Sequence, residues 1–360
     1  MTDDSSHPPH SHIWPGIPLA LGAAILFGAS APLSKALTGQ MDPWLLAGIL
    51  YLGAGLGLAL TSLGRNALGL DNAEAPLRRG DLPWLVAVVL FGGVFGPLFL
   101  VFGLTLTSAS SGSLLLNLEG LATMSVAWIV FRENVDRRLL IGAAAILCGA
   151  VVLSWNGEGL RLDAGALLIA LACLSWGIDN NLTRKLSSAD PVQIATIKGV
   201  VAGCTNVALA LMLGASLPPL PIIGMAAIVG FLGVGISLVM FMLGLRHLGT
   251  ARTGAYFSLA PFIGATIAIV FFGEALTPQL VAAGLLMGLG LWLHLTERHD
   301  HEHLHEALEH EHAHIHDAHH QHAHDGPMTE PHSHWHRHEP LRHSHPHFPD
   351  LHHRHAHPDK

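Results

Sequence analysis

The chain has 360 residues, half of them apolar and only 12% charged, and its formal charge of −8 is weighted to the C-terminal end, where 12 of the 26 acids lie from Glu297 onward. That composition excludes an ordinary set of soluble domains, and it leaves no basic face for nucleic acid. No G-x-x-x-x-G-K-[ST] loop and no Ser/His/Asp or paired-carboxylate arrangement in the polar parts appears, so neither ATP-driven transport nor enzymatic catalysis is indicated.

Residues 1–16 read as a polar cytoplasmic segment containing His7, His10 and His12. They hold no Lys or Arg but do hold Asp3 and Asp4, unlike the positive start of a secretory signal. The first apolar run is therefore expected to be an uncleaved span. Ten runs then follow, near 17–38, 44–64, 83–106, 109–131, 138–155, 163–185, 191–213, 221–245, 251–272 and 276–296. About 20 apolar residues suffice to cross a hydrocarbon core roughly 30 Å thick. Cys148, Cys173 and Cys204 each lie inside such a run with no paired spacing, and read as small buried hydrophobes. Gly92/Gly96 and Gly284/Gly288 stand at the spacing that lets helix backbones approach, and a homodimer is compatible with such a surface.

The runs are written twice. At an offset of 141, Gly103 meets Gly244, Leu118 meets Leu259, Phe131 meets Phe272, Glu133 meets Glu274 and Gly149 meets Gly290. At an offset of 149, Leu26–Leu37 echoes Ser175–Leu186, so Gly28 meets Gly177 and Lys35 meets Arg184. A long-period repeat of this kind defines the architecture: one five-span unit over 17–155 and a second over 163–296. With the N-terminus inside, the inner loops carry ten Lys/Arg residues against two at the outer ends, Lys35 and Arg161. Both termini are then cytoplasmic. Five is odd, so the two units lie upside down relative to each other, an arrangement common in secondary transporters. The expected fold is all-α integral membrane, ten transmembrane helices as two inverted five-helix repeats, plus a disordered His-rich C-terminal tail over 297–360.

The segments LTSASSGSLLLNLEG, FRENV and the Gly149 that follows, with LGTARTGAYFSLAPF, FFGEAL and Gly290 in the second half, resemble the EamA-type branch of the drug/metabolite transporter superfamily. The resemblance covers about residues 17–296. It implies ten spans in two inverted halves, cytoplasmic termini in the bacterial inner membrane, and export of small solutes coupled to an ion gradient. In one respect the chain departs from the pattern: Glu119 is followed by Gly120 where a Glu-Pro pair is usual, while the second copy has Ala260-Pro261. Any kink there is expected to rest on glycine in one half.

Ionisable groups inside spans are costly and mark candidate pathways. Glu119, near the middle of span four, would bind a cation or exchange a proton; its alternative is a packing role against a partner inside the bundle. Asp179, Asn180 and Asn181 break span six, and Lys198 interrupts span seven. At 1.5 Å per residue, Asp179 and Lys198 both lie roughly 8–10 Å deep, so an ion pair between them is expected, either gating the inner side or simply structural. A fixed ammonium repels a bare divalent ion unless Asp179 neutralises it. Asn117, Tyr256 and Ser258 are candidates to line a central cavity, 117 and 258 being repeat mates. Trp176, Phe27 and Trp128 read as packing or interface aromatics, and Glu133 and Glu274 as loop anchors at helix ends.

From His299 to His357 there are 23 histidines in 59 residues. So polar a segment cannot bury a core, although Thr296–Asp325 also has i,i+4 histidines that would suit a continued helix. Its metal-ligand candidates are His299, His301, His303, His305, His310, His312, His314, His316, His319, His320, His322 and His324. Neutral imidazole suits zinc, copper and nickel; the tail is expected to bind nickel, cobalt or zinc, and binding would fade below a pH of about 6.5. No cofactor is required by these features. The tail resembles that of bacterial nickel and cobalt resistance members of the family, which implies a divalent-metal exporter working against protons. Two other readings stay open: an exporter of an organic metabolite or drug with a metal-buffering tail, and a membrane-anchored metal store.

Overall fold

The computed structural model describes residues 16–68, 77–131, 137–155, 163–186 and 189–296, with 302–305, 308–314, 332–338 and 341–344 in the tail. Up to Thr296 it is all helix: α1 (Gly16–Leu37), α2 (Pro43–Ala67), α3 (Leu82–Val88), α4 (Gly96–Leu106), α5 (Ala109–Leu115), α6 (Leu118–Phe131), α7 (Arg137–Leu153), α8 (Ala164–Thr183), α9 (Pro191–Met212), α10 (Leu220–Gly230), α11 (Ser237–Phe257), α12 (Ala260–Phe272) and α13 (Pro278–Leu295). Among the described residues nine helical stretches have the length and apolarity to cross a membrane, and the 17-residue α7 supplies a tenth. Two starts share one local device. Asp42 precedes Pro43 and accepts from Trp44 N at 2.8 Å, as Asp190 precedes Pro191 and accepts from Val192 N at 2.8 Å. Each caps a helix whose first position suits proline.

Contacts between helix ends sort those ends onto two faces. On one, Leu77 N donates to Gln193 Oε1 (3.0 Å), Arg138 donates to Thr296 Oγ1 (2.6 Å), and His294 Nε2 meets Leu139 O (3.0 Å). On the other, Lys35 Nζ donates to Leu104 O (2.5 Å), Thr107 Oγ1 to Asp163 Oδ2 (3.2 Å), and Gln279 Nε2 to Trp155 O (2.9 Å). Glu274 joins the second set. Its Oε1 and Oε2 accept from Ala109 N (2.7 Å) and Ser110 N (2.8 Å), tying the end of α12 to the start of α5. That is the loop-anchoring role expected of it, whereas Glu133 lies outside the described residues.

Several of the main helix pairings persist when the repeat mates are exchanged. The pairs α2/α9 and α7/α13 map onto themselves, α1/α11 maps onto α8/α4, and α1/α12 onto α8/α6. The irregular turns are duplicated as well. Val89–Phe95 between α3 and α4, and Phe231–Ile236 between α10 and α11, are both π-helical. Both hold glycines, and residues 89–95 map onto 230–236 at the repeat offset. A wide turn frees carbonyls from the helical ladder, and such turns recur at functional sites.

In lipid, apolar surface gives helices little reason to associate, so close packing must do so. Glycine provides it where α2 crosses α9: a Cβ at Gly203 would stand 2.9 Å from Gly48 O, and one at Gly199 would stand 2.7 Å from Gly55 Cα. Similarly, a Cβ at Gly142 would stand 2.9 Å from Gly290 O. The pairs expected from spacing behave differently. Gly284 and Gly288 meet only side chains, at 3.7 and 3.9 Å, and Gly92 and Gly96 make room for side chains rather than backbones.

The expected boundary between spans eight and nine holds: within the range of α11, one candidate span ends at Gly244 and the next starts at Thr253. A Cβ at Gly244 would stand 3.1 Å from Thr253 Cγ2, where nine residues of straight helix would separate them by about 13 Å, so the chain doubles back there. Two other expectations are revised. First, the break in span four falls at Leu116–Asn117, before Gly120. Asn117 makes it, since its backbone N and its Nδ2 both donate to Leu114 O (3.0 and 2.8 Å). Second, the tail contains strands where no regular structure, or a continued helix, is expected. β1 (Glu302–His305) pairs antiparallel with β4 (Leu341–Ser344), and β2 (Leu308–His314) with β3 (His332–His338). Its His-x-His alternation has the two-residue period of a strand. The register pairs His310, His312 and His314 with His336, His334 and His332.

Gly203→Val is expected to lower the thermal stability of the detergent-purified protein by ~1–3 kcal/mol, the usual cost of overpacking, whereas Gly284→Ala leaves it unchanged. Side-by-side thermal unfolding of the two variants checks this.

Candidate functional site

The expected ion pair is present. Lys198 Nζ, on α9, donates to Asp179 Oδ2 on α8, and Thr183 Oγ1 donates to the other carboxylate oxygen at 3.3 Å. Asp179 is only 4% exposed. A charge so placed is tolerable only when paired and hydrogen-bonded.

Gly92, in the first π-helical segment, gives the pair its space. Any Cβ at Gly92 would run into both Asp179 and Lys198. Its carbonyl, freed from the regular ladder, accepts from Tyr51 Oη (2.7 Å) and Trp176 Nε1 (3.1 Å), while Gly93 O accepts from Asn206 Nδ2 (3.4 Å). Trp176 is thus a hydrogen-bonding clamp as well as a packing aromatic. Sequence reasoning passed over Tyr51 and read Gly92 only as a packing glycine. The available signal was a Gly-Gly pair inside a span, at the repeat position of a second glycine-containing turn.

Glu119, half-buried in the first turn of α6, stands beside this pair, with both Asp179 and Lys198 in electrostatic reach. Among the described residues its carboxylate receives one hydrogen bond, from Asn180 Nδ2 at 3.1 Å. Asn180 Nδ2 also donates to Thr123 Oγ1 (3.2 Å), and Asn181 Nδ2 donates to Thr123 O (3.0 Å) and Gly177 O (2.8 Å). The polar break in span six therefore splits its work: Asp179 faces Lys198, Asn180 faces Glu119, and Asn181 fastens α8 to α6. The neighbourhood holds one cation and two carboxylates, so when all are ionised it carries one excess negative charge.

Other candidates lie elsewhere. Asn117 is buried and bonds its own helix break and Met287 Sδ (3.8 Å). Ser258 Oγ donates to Gly254 O (2.7 Å). Both are occupied with local backbone. Tyr256 is half-buried, next to a Phe27–Phe257–Phe241 cluster with ring centroids 5.3 and 4.7 Å apart. Trp128 is exposed, as an interface aromatic would be. Of the tail ligands, His303, His305, His310, His312 and His314 occupy strands β1 and β2, while His299, His301, His316, His319, His320, His322 and His324 lie outside the described residues. Among the described residues no group of three His, Cys, Asp or Glu side chains is assembled as a metal site.

Fold and site together define a multi-pass helical membrane protein with a charged cluster inside its bundle. The EamA-like transporter family matches at residues 14–155 and 163–296, and the chain belongs to that family. It is 30% identical over 285 residues to an uncharacterized transporter of Methanothermobacter thermautotrophicus, covering 75% of this chain and 83% of the relative. A probable amino-acid metabolite efflux pump of Salmonella typhimurium is 26% identical over 300 residues, covering 77% and 93%. A solved crystal structure matches in fold with a TM-score of 0.57 at 20% identity, over 78% of this chain and 95% of that one.

Removing one member of the buried pair should cost more than removing both. Lys198→Met alone is expected to destabilise by ~3–5 kcal/mol by leaving an unpaired charge, and Asp179→Asn added to it should restore most of that loss. Thermal unfolding of the two single variants and the double variant measures the coupling.

Proposed function

We propose that this protein is a secondary exporter of a small organic solute, driven by proton entry through Glu119. The carrying observation is a carboxylate inside the bundle whose described hydrogen bonding is a single amide, beside an ion pair already balanced. A carboxylate so placed needs a counter-ion, and a proton and a cationic group compete for it. In this reading the two halves are inverted repeats and access alternates between the faces by motion of one half against the other. The face bearing Leu77, Arg138 and Thr296 is cytoplasmic, as the Lys/Arg bias requires, and both termini lie there in the bacterial inner membrane. Support for an organic cargo comes from the buried ammonium and from the relative described as an amino-acid metabolite efflux pump.

A second reading keeps the exporter and makes the cargo divalent nickel, cobalt or zinc. One observation favours it: the 23 tail histidines, with three cross-strand His–His register pairs between β2 and β3. Asp179 neutralises Lys198, which weakens the electrostatic objection to a divalent cation. In either case the tail gathers or buffers metal at the inner mouth.

Growth of a sensitive host on toxic amino-acid analogues, and separately on nickel and cobalt salts, tells the cargoes apart. Resistance to an analogue is expected from the intact chain and from one ending at Thr296, and from neither with Glu119→Gln. Lower cell metal with both the intact and the truncated chain would replace the organic cargo by metal. Protection from metal only with the tail, without lower cell metal, would make the tail a sink.

A further inference from the structure

The two halves share much of their trace but not their burial. The niche at Gly92 recurs at its mate Gly233, where a Cβ would meet Ser30 Cβ at 2.6 Å. Charge does not recur. At the offsets of 141 and 149, Glu119 and Asp179 map onto Ala260 and Ser30, and aligning Asp190–Pro191 with Asp42–Pro43 maps Lys198 onto Leu50. Exposure differs in the same sense. Ser113 and Ala260, and Ala31 beside them, are each 1% exposed. Their mates Gly254 and Glu119 are half-buried, and Asn180, the mate of Ala31, is exposed.

The buried set forms a seam between the halves on the face of Glu274. Where α1, α5 and α12 meet, a Cβ at Gly264 would stand 2.6 Å from Gly28 O and 3.0 Å from Ser113 Cβ. Ala31, Leu114 and Leu115 join Ala265 in one core there. At the mate position of Ser113, a Cβ at Gly254 would meet nothing within 4 Å among the described residues. The difference does not lie in the neighbouring crossings. A Cβ at Gly177 would stand 2.8 Å from Ala122 C where α8 meets α6, and one at Gly28 3.2 Å from Ala260 C where α1 meets α12. The crossing of α7 with α13 is bonded on both faces, through Arg138–Thr296 and through Gln279, the mate of Arg138, to Trp155. What differs is the seat of α5.

The seam does not hold α5 by its own polar chemistry, for Ser113 Oγ is buried in it with no hydrogen-bond partner, which costs stability. Glu274 supplies the missing tie from the other half. Its carboxylate accepts from the first two backbone N–H groups of α5, those of Ala109 (2.7 Å) and Ser110 (2.8 Å). Such groups have no partner within their own helix, and a carboxylate that takes both makes two charge-assisted bonds. Ser113 lies about one helical turn further along.

We propose that Glu274 is the latch of a mouth between α5 and α12, and that this conformer is closed on the Glu274 face and open on the other, toward Glu119. The proposal rests on the alternating-access exporter reading and adds the residue that controls access from one face. Ala31, Ser113 and Ala260 seal that face, while Glu119 and Asn180 communicate with the face of Leu77, Arg138 and Thr296. When Glu274 lets go, α5 can leave Gly264. The freed N–H groups then meet water at the opened mouth, so opening leaves no buried donor unpaired.

Two repeat mates report on the two mouths: Ser113→Cys and Gly254→Cys, each introduced singly into the full chain carrying Cys148→Ala, Cys173→Ala and Cys204→Ala. A permanently charged thiol reagent, applied to the detergent-purified protein, labels only positions that water reaches. Position 254 is expected to label faster than position 113. Glu274→Gln and Glu274→Ala should each speed labelling at 113 at least about tenfold, the worth of a hydrogen bond to a charged group, without speeding it at 254. Gln279→Ala, which removes a tie present on both faces, should change neither rate, and thermal unfolding identifies the variants that are folded. Slower labelling at 254 than at 113 in the otherwise intact chain overturns the proposal. So does an unchanged rate at 113 in both Glu274 variants, or faster labelling at both positions, which marks a loosened bundle. Labelling needs neither cargo nor Glu119, so these failures leave the exporter reading standing. Resistance retained by Glu119→Gln would overturn that reading's proton step and leave the labelling result, and the latch, in place.

Discussion

A half-buried ammonium about two helical turns inside an apolar bundle dictates what surrounds it. Lys198 requires an anion at contact distance, and Asp179 provides it from the neighbouring helix. Two side chains meeting between helices need volume, which the glycine at position 92 leaves open. A glycine in a widened turn releases its carbonyl, and Tyr51 on α2 and Trp176 on α8 satisfy that carbonyl. One buried cation thus fixes the meeting point of α2, α8, α9 and the first π-helical turn. Desolvation makes each step obligatory, because every partner removed leaves an unpaired polar group where water cannot replace it.

The same reasoning separates what was legible in the sequence from what was not. Span number, the duplication and the Asp179–Lys198 pair were readable, because each depends on hydropathy, on a fixed offset or on helical rise. The π-helical turns were not, since periodicity does not distinguish a wide turn from a regular one over seven residues. Glycine spacing misled for a physical reason: Gly284/Gly288 and Gly142/Gly290 look alike as letters, and only the crossing geometry decides which backbone is approached. Asn117 and Ser258 were drawn to the cavity by their repeat relation, yet that relation reflects a shared need to satisfy a carbonyl at a helix break. The tail's strands follow from an alternation visible in the letters, but its i,i+4 histidines pointed equally well to a helix.

Duplication gives a protein two equivalent niches, and divergence lets them part company. The turn, the glycine and the crossing helices persist in both halves, which marks them as parts of the scaffold. Charge persists in one. In the proposed exporter, a scaffold built from two like halves reaches two related conformations of similar energy, as motion between two faces demands. A charged site that is not symmetric gives that motion something to carry and something to count. Were both niches charged, two buried pairs would have to be kept solvated or matched through every rearrangement. With one, the second niche stays small and neutral: Ser30 bonds back to Phe27 O at 2.6 Å. In the exporter reading proposed above, this asymmetry assigns the coupling chemistry to the Glu119, Asp179 and Lys198 cluster, because the equivalent positions Ala260, Ser30 and Leu50 carry no charge.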